Sequence, residues 1–321
     1  WTSKLSKEIM RLEAETEGEV GLYIKNLSDG REFVHNGDEN WYFASTVKIP
    51  LAIAVLKEVE DGEISLDDEL ILQESDYVDG SGDLLGMPPG TRLSIRELIQ
   101  QMVWHSDNSA TDMLIRLIGE KEFNDFVQKY LDASGINYIT TILQVRYDAY
   151  SEFHDYAANL KSTDIVFINS TPSRKERVMR LTGKMSVDPS DLRVASIEEA
   201  FEKYYLRELN SGKTESMGKM LEQLYYGELL SAEHTSFLLE TMTNITTGDR
   251  RIKAGLPTGT QFAQKTGTQI RRAVNMGIIF PNDKKMEPII VVACVRGINN
   301  PQKAEKIFKN IGILLSDTFL E

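Results

Sequence analysis

Hydrophobic and polar positions along this chain follow two periods. Leu5, Ile9, Met10 and Leu12 repeat at helical spacing and predict a helix over 4–16. β-type residues from Glu19 to Lys25, a Ser28-Asp29-Gly30 turn and Arg31-Glu32-Phe33-Val34 then predict a hairpin. Helical spacing returns over 45–59, 91–101, 110–118 and 120–131, and again over 215–226 and 232–242. Two strand-like runs follow, at 272–280 and 288–296, separated by a Pro281-Asn282-Asp283 turn. An apolar-striped helix over 301–319 ends the chain. The stretch from about 135 to 212 has mixed periods and gives no clear element.

Strands at both ends of a chain bury their faces by sharing a sheet. The pattern therefore predicts an α+β fold, with an antiparallel sheet flanked by helices and a mainly helical domain inserted between its halves. The expected division is 1–44 with 243–321 for the sheet domain and 45–242 for the helices. No internal repeat interrupts this order.

Composition narrows the function. The 321 residues hold 36 basic and 49 acidic side chains, a formal net charge of −13. That balance argues against a nucleic-acid or anionic-membrane partner, both of which need a basic footprint. No apolar run approaches the roughly twenty residues of a membrane helix, so no integral membrane segment is expected. The first residue is Trp1, as in a processed or trimmed N-terminus, where a signal peptide would leave no trace. The one cysteine, Cys294, lies in an apolar strand-like run and reads as a core residue. The four histidines form no metal-binding pair, so neither metal nor cofactor is expected. The glycines at 80, 82 and 86 lack dinucleotide spacing, and Gln264 stands where a P-loop needs its second glycine.

Three short motifs carry chemistry. In Ser45-Thr46-Val47-Lys48 the i, i+3 spacing puts a hydroxyl and an amine on one helix face. A serine is a poor nucleophile until a base takes its proton. A lysine can be that base when burial and nearby positive charge lower its pKa. Tyr42, Phe43 and Ala44 before the motif, and the apolar run after it, suit burial. Taken alone, Ser45 would equally serve as a helix N-cap. Ser106-Asp107-Asn108 falls in a loop between two helices, where each residue is also a good cap. Lys265-Thr266-Gly267-Thr268 precedes a strand and supplies a cation, hydroxyls and a glycine that admits a ligand close to the backbone.

With these motifs in this order, the sequence resembles the serine β-lactamase and penicillin-binding protein superfamily, most closely class A β-lactamases. The resemblance spans roughly 1–135 and 213–321, including Tyr226-Gly227-Glu228-Leu229-Leu230. It implies a β-lactamase/transpeptidase-like fold. It also implies attack by Ser45 on a β-lactam or peptidoglycan-like amide, with Lys48 as base. Ser106 would pass a proton to the leaving nitrogen, and the backbone N–H groups of Ser45 and Thr268 would form the oxyanion hole. Lys265, Thr266 and Thr268 would hold the substrate carboxylate beside Gly267, with Arg271 or Arg272 as a further partner. Asn108 would meet the substrate's side-chain amide. A monomer in the periplasm or secreted is the expectation for such an enzyme.

The resemblance breaks at deacylation. Class A enzymes use a glutamate in an E-x-x-L-N loop, and here Leu206 occupies its position before Leu209-Asn210. Arg146-Tyr147-Asp148 resembles the family's Arg-Trp-Glu, which makes Asp148 the candidate base and Glu152 the alternative. The excess length, about fifty residues, falls at about 140–212. Slow deacylation, as in a penicillin-binding D,D-peptidase or esterase, and a non-catalytic muropeptide-binding protein are the alternatives to a turning-over β-lactamase.

Overall fold

A computed structural model describes residues 1–131, 135–283 and 285–320. Among them the helices are α1 (Thr2–Thr16), α2 (Lys48–Glu60), α3 (Ile95–Trp104), α4 (Asn108–Ile118), α5 (Glu120–Phe126), α6 (Ile142–Ser151), α7 (Ser162–Asn169), α8 (Arg174–Met185), α9 (Ile197–Tyr205), α10 (Thr214–Tyr225), α11 (Ala232–Thr243) and α12 (Pro301–Leu315). The strands are β1 (Glu19–Asn26), β2 (Glu32–His35), β3 (Trp41–Tyr42), β4 (Glu69–Ile71), β5 (Arg92–Ser94), β6 (Ser211–Gly212), β7 (Gln261–Gln269), β8 (Arg272–Phe280) and β9 (Ile289–Arg296).

The chain packs as two units. One comprises Trp1–Lys57, Phe126–Asn137 and Asn210–Glu321, and the other Glu58–Asp125 and Tyr138–Leu209. Residues 45–57 and 210–242 thus group with the sheet, where the sequence pattern assigns them to the helices. The reason is visible in α2, whose residues Lys48 to Leu56 are all buried. A helix apolar on every side belongs inside a core, not on a surface.

The first unit is built on a five-stranded antiparallel sheet in the order β2-β1-β9-β8-β7. Its middle joins the two ends of the chain, with Glu19 opposite Arg296 and Asn26 opposite Ile289. The expectation of one sheet from both termini holds. One face packs Val20, Leu22, Ile24, Val291 and Ala293 against Leu5, Ile9 and Leu12 of α1 and Ile307, Phe308 and Ile311 of α12. Against β1 and β9 also lies α10, while α11 lies along the edge strand β7. β7 departs from the sequence pattern, which shows no strand between the N-terminal hairpin and residue 272. Gln264, Lys265 and Thr266 sit buried in it, so its polar residues mask the alternation that marks a strand.

The second unit is helical. Its α3 starts at Ser94, whose hydroxyl accepts from the Glu97 amide while Glu97 accepts from the Ser94 amide, a capping box. The 92–94 stretch, expected as helix, instead pairs as β5 with β4. The illegible region resolves into α6 through α9, each a short helix.

Candidate active site

In the first unit, Ser45 lies in a 3-10 turn, Ala44–Val47, that leads directly into α2. Two short strands fix the approach to this turn. Trp41 pairs with Gly212, and the Phe43 amide donates to the Asn210 carbonyl at 2.9 Å. Ala44, just before the serine, has φ 46, the left-handed region that costs a residue with a Cβ about 1 kcal/mol or more. The turn begins at Phe43 without a side-chain cap, so Ser45 is not spent as an N-cap. Ser45 is partly exposed, while Lys48 one turn on is fully buried.

β7 runs past this turn. A Cβ built on Gly267 would lie 2.9 Å from the Ser45 nitrogen, the Phe43 oxygen and the Ala44 Cβ. Only glycine lets the two backbones come this close. Lys265 is fully buried and its Nζ donates to the Thr266 carbonyl at 3.0 Å. Burial first, then the charges of Lys48 and Arg251, push its ammonium well below the usual lysine range. Thr266 Oγ1 is 2.7 Å from Thr247 Oγ1, and Thr268 is exposed on the same strand.

Arg251 is absent from the sequence-based set. Its Nη1 donates to the Gly267 and Val274 carbonyls at 2.9 and 2.6 Å, and its Nη2 to Thr268 Oγ1 at 2.6 Å. Burial pulls its pKa down to about 10. Arg272 donates to the Arg271 carbonyl at 3.1 Å, and Arg271 to the Gly297 carbonyl at 3.0 Å. A guanidinium in contact with Thr268 is thus supplied from the segment before β7. The only sequence signal was the Arg250-Arg251 pair, and nothing in its spacing ties it to Thr268.

In the second unit, Ser106, Asp107 and Asn108 are all buried. Ser106 has φ 56, a second left-handed residue with a side chain. Asp107 caps α4, its Oδ1 accepting from the Ala110 amide at 2.8 Å. Asn108 Nδ2 donates to the Asp79 carbonyl at 2.7 Å. Asp148 lies on α6, where its Oδ1 accepts from Gln144 Nε2 at 2.9 Å and pairs with Arg207 Nη1 at 3.2 Å. Arg207 also pairs with Glu152. The two candidate bases thus share one guanidinium.

Among the described residues there is no group of three or more His, Cys, Asp or Glu side chains able to hold a metal. No helix among them is long and apolar enough to cross a membrane.

A serine and a lysine on one turn, facing a K-T-G edge strand in an antiparallel sheet between helices, define the serine β-lactamase and penicillin-binding fold class. Residues 4–319 match the profile of the beta-lactamase enzyme family, and the chain belongs to that family. It is 25% identical to beta-lactamase VEB-1 of Pseudomonas aeruginosa, over 86% of this chain and 75% of that protein. It is 23% identical to beta-lactamase 3 of Bacillus cereus, over 90% of this chain and 73% of that one. Among solved structures, TLA-3 extended-spectrum beta-lactamase superposes with a TM-score of 0.75 at 22% identity, covering 100% of both chains. A PBP-A variant, solved as its acyl-enzyme with penicillin G, superposes at 0.71 and 20% identity, covering 99% of this chain and 96% of that one.

Proposed function

We propose that this protein is a serine hydrolase that opens β-lactam amide bonds through an acyl-enzyme on Ser45. The observation that carries the reading is the meeting of the Ser45 turn with β7, with Lys48 and Lys265 fully buried beneath it. Lys48, as the free amine, takes the Ser45 proton, and Oγ bonds to the carbonyl carbon. The resulting oxyanion is held by the backbone N–H groups of Ser45 and Thr268. Collapse breaks the C–N bond, the nitrogen takes its proton by way of Ser106, and an ester on Ser45 remains. Lys265, Thr266 and Thr268 bind the substrate carboxylate, with Arg251, bonded to Thr268, and Arg272 as further partners. Asn108 binds the side-chain amide. The names of the relatives support the substrate class, and the same family supports a periplasmic or secreted monomer.

A second reading has its own support. The acyl-enzyme needs a base within hydrogen-bond reach of a water. Asp148 and Glu152 are both engaged by Arg207. That favours a long-lived adduct, as in a penicillin-binding peptidase or esterase acting on peptidoglycan-like amides. Mixing the protein with a chromogenic cephalosporin, while following colour and intact mass, separates the readings. Sustained colour supports turnover, and a stoichiometric burst with a stable adduct supports slow deacylation. Absence of both colour and adduct sinks both. Ser45→Ala should abolish any adduct, and an acylated variant would show that the nucleophile lies elsewhere.

A further inference from the structure

The Ser106-Asp107-Asn108 segment is held by a second strand of chain. Val78 N donates to Ser109 Oγ at 3.0 Å, Asn108 N to the Ser81 carbonyl at 3.1 Å, and Ser81 Oγ to the Ser106 carbonyl at 2.7 Å. Leu84 N donates to Asp107 Oδ2 at 2.9 Å. The fit is steric as well. Gly82 has φ 113, and a Cβ there would lie 2.1 Å from Asp107 Oδ2. This loop is in turn tied to α6, because Arg146 Nε donates to Asp79 Oδ1 at 2.8 Å. The side chains of that ion pair are only 10% and 13% exposed. α6 is itself seated on α4, since the amides of Ile142 and Leu143 donate to the Asp112 carboxylate at 2.7 and 2.9 Å.

We propose that Asp79 and Arg146 are positioning residues for Asn108. The Asp79 carbonyl takes one amide hydrogen of Asn108, and the ion pair fixes where that carbonyl stands. An asparagine amide is planar with distinct ends. Holding its nitrogen toward Asp79 sets the direction of its oxygen, the atom offered to the side-chain amide of a β-lactam. The inference rests on the proposed role of Asn108. The sequence gives Arg146 a different setting: the neighbour of a candidate base. The structure turns its guanidinium to the loop that carries the Asn108 contact. A mostly desolvated pair can do this, because removing one partner leaves the other charge uncompensated.

The test compares two penams with the same nucleus, one bearing an acylamino side chain and one a free amine. Second-order acylation rate constants are read by intact mass for the full chain and for Asp79→Asn, Arg146→Gln and Arg146→Lys. Asp79→Asn and Arg146→Gln should slow acylation by the acylamino penam about tenfold, and by the free amine less than about twofold. Arg146→Lys should recover part of the loss. Equal losses on both penams, without rescue by lysine, overturn the proposal. Hydrogen exchange in the same variants reads the loop directly. The Asn108 and Leu84 amides should exchange faster in Asp79→Asn and Arg146→Gln, by more than the fall in global stability measured by denaturant unfolding accounts for. Unchanged exchange overturns the positioning role whether or not Ser45 reacts. A wild-type chain that no penam acylates overturns the proposed activity instead.

Discussion

Gly267→Ala perturbs the contact on which the proposed chemistry depends. The new methyl carbon would stand 2.9 Å from the Ser45 nitrogen, the Phe43 oxygen and the Ala44 Cβ. Ordinary contacts of a Cβ begin near 3.4 Å. The strand and the turn must therefore separate by about half an ångström. β7 has little room to retreat, because Gly267 is paired with Val274 of β8, and Arg251 is bonded to both carbonyls. Overpacking of this kind costs about 1–3 kcal/mol of stability. The catalytic cost should be larger. Oxyanion donors work only within about 2.7–3.1 Å of the developing charge, and losing one costs about 10²-fold or more. Since Thr268 follows Gly267, its N–H moves with the strand. The assay is the rate of Ser45 acylation by a fluorescent penicillin under pseudo-first-order conditions, alongside thermal unfolding. Gly183→Ala is the control. Gly183 lies inside α8 with no atom within 4 Å of its added Cβ, so that variant should gain roughly 0.5–1 kcal/mol and acylate normally. Acylation of Gly267→Ala within about threefold of wild type would refute the view that the reaction uses this close approach.

Other perturbations address separate features. Lys265 has a folded-state pKa well below its unfolded value, so folding expels its proton between those two values. The unfolded chain then binds more protons, and stability rises with pH through that window, by at most about 1.4 kcal/mol per unit. Lys265→Met should be the more stable protein at pH 6, with the advantage shrinking towards pH 10; denaturant unfolding across that range would show a constant difference if the lysine were not responsible. Arg207→Gln releases Asp148 and Glu152, and should shorten the lifetime of the Ser45 adduct in a chase followed by intact mass; an unchanged lifetime removes both carboxylates from deacylation. Ser94→Ala deletes the capping box of α3 and should cost about 1 kcal/mol in thermal unfolding without changing acylation.

The elements read best from sequence were those whose burial follows a simple period. Both β8 and β9 lie within a residue of their expected ends, and α1 and α12 carry the apolar stripes that pack on the sheet. The hydrophobic pattern missed β7 because it buries Gln264 and Lys265, polar residues that break the apolar alternation. Gln264 is made tolerable by Asn275, whose amide donates to it at 3.0 Å, a partner eleven positions away that no local rule reveals. In the 140–212 region the helices are short, and several are started by single side chains. Thr141, Ser173 and Ser196 each cap the helix that follows. Such signals are common in loops too, which is why the region gave no clear reading. The three motifs were legible as residues. Their surroundings were not: Arg251 at Thr268 and Arg207 between Asp148 and Glu152 are pairings across long sequence separations.

The sheet that unites β1 with β9 also sets the order in which the protein can acquire any activity. Arg296 and Glu19, bonded across that seam, are 277 positions apart. Closing so long a loop costs about 5 kcal/mol of chain entropy before the contacts return it. Long-range pairing of this kind also slows folding. During synthesis, residues 1–57 emerge early, yet β1 has no strand partner but β2 until the last tenth of the chain is made. The strand that faces Ser45, β7, is made only within the last fifth of the chain. A nascent or truncated chain ending before residue 260 would therefore carry Ser45 without the strand that meets its turn, and on the proposed chemistry should not be acylated by a penicillin.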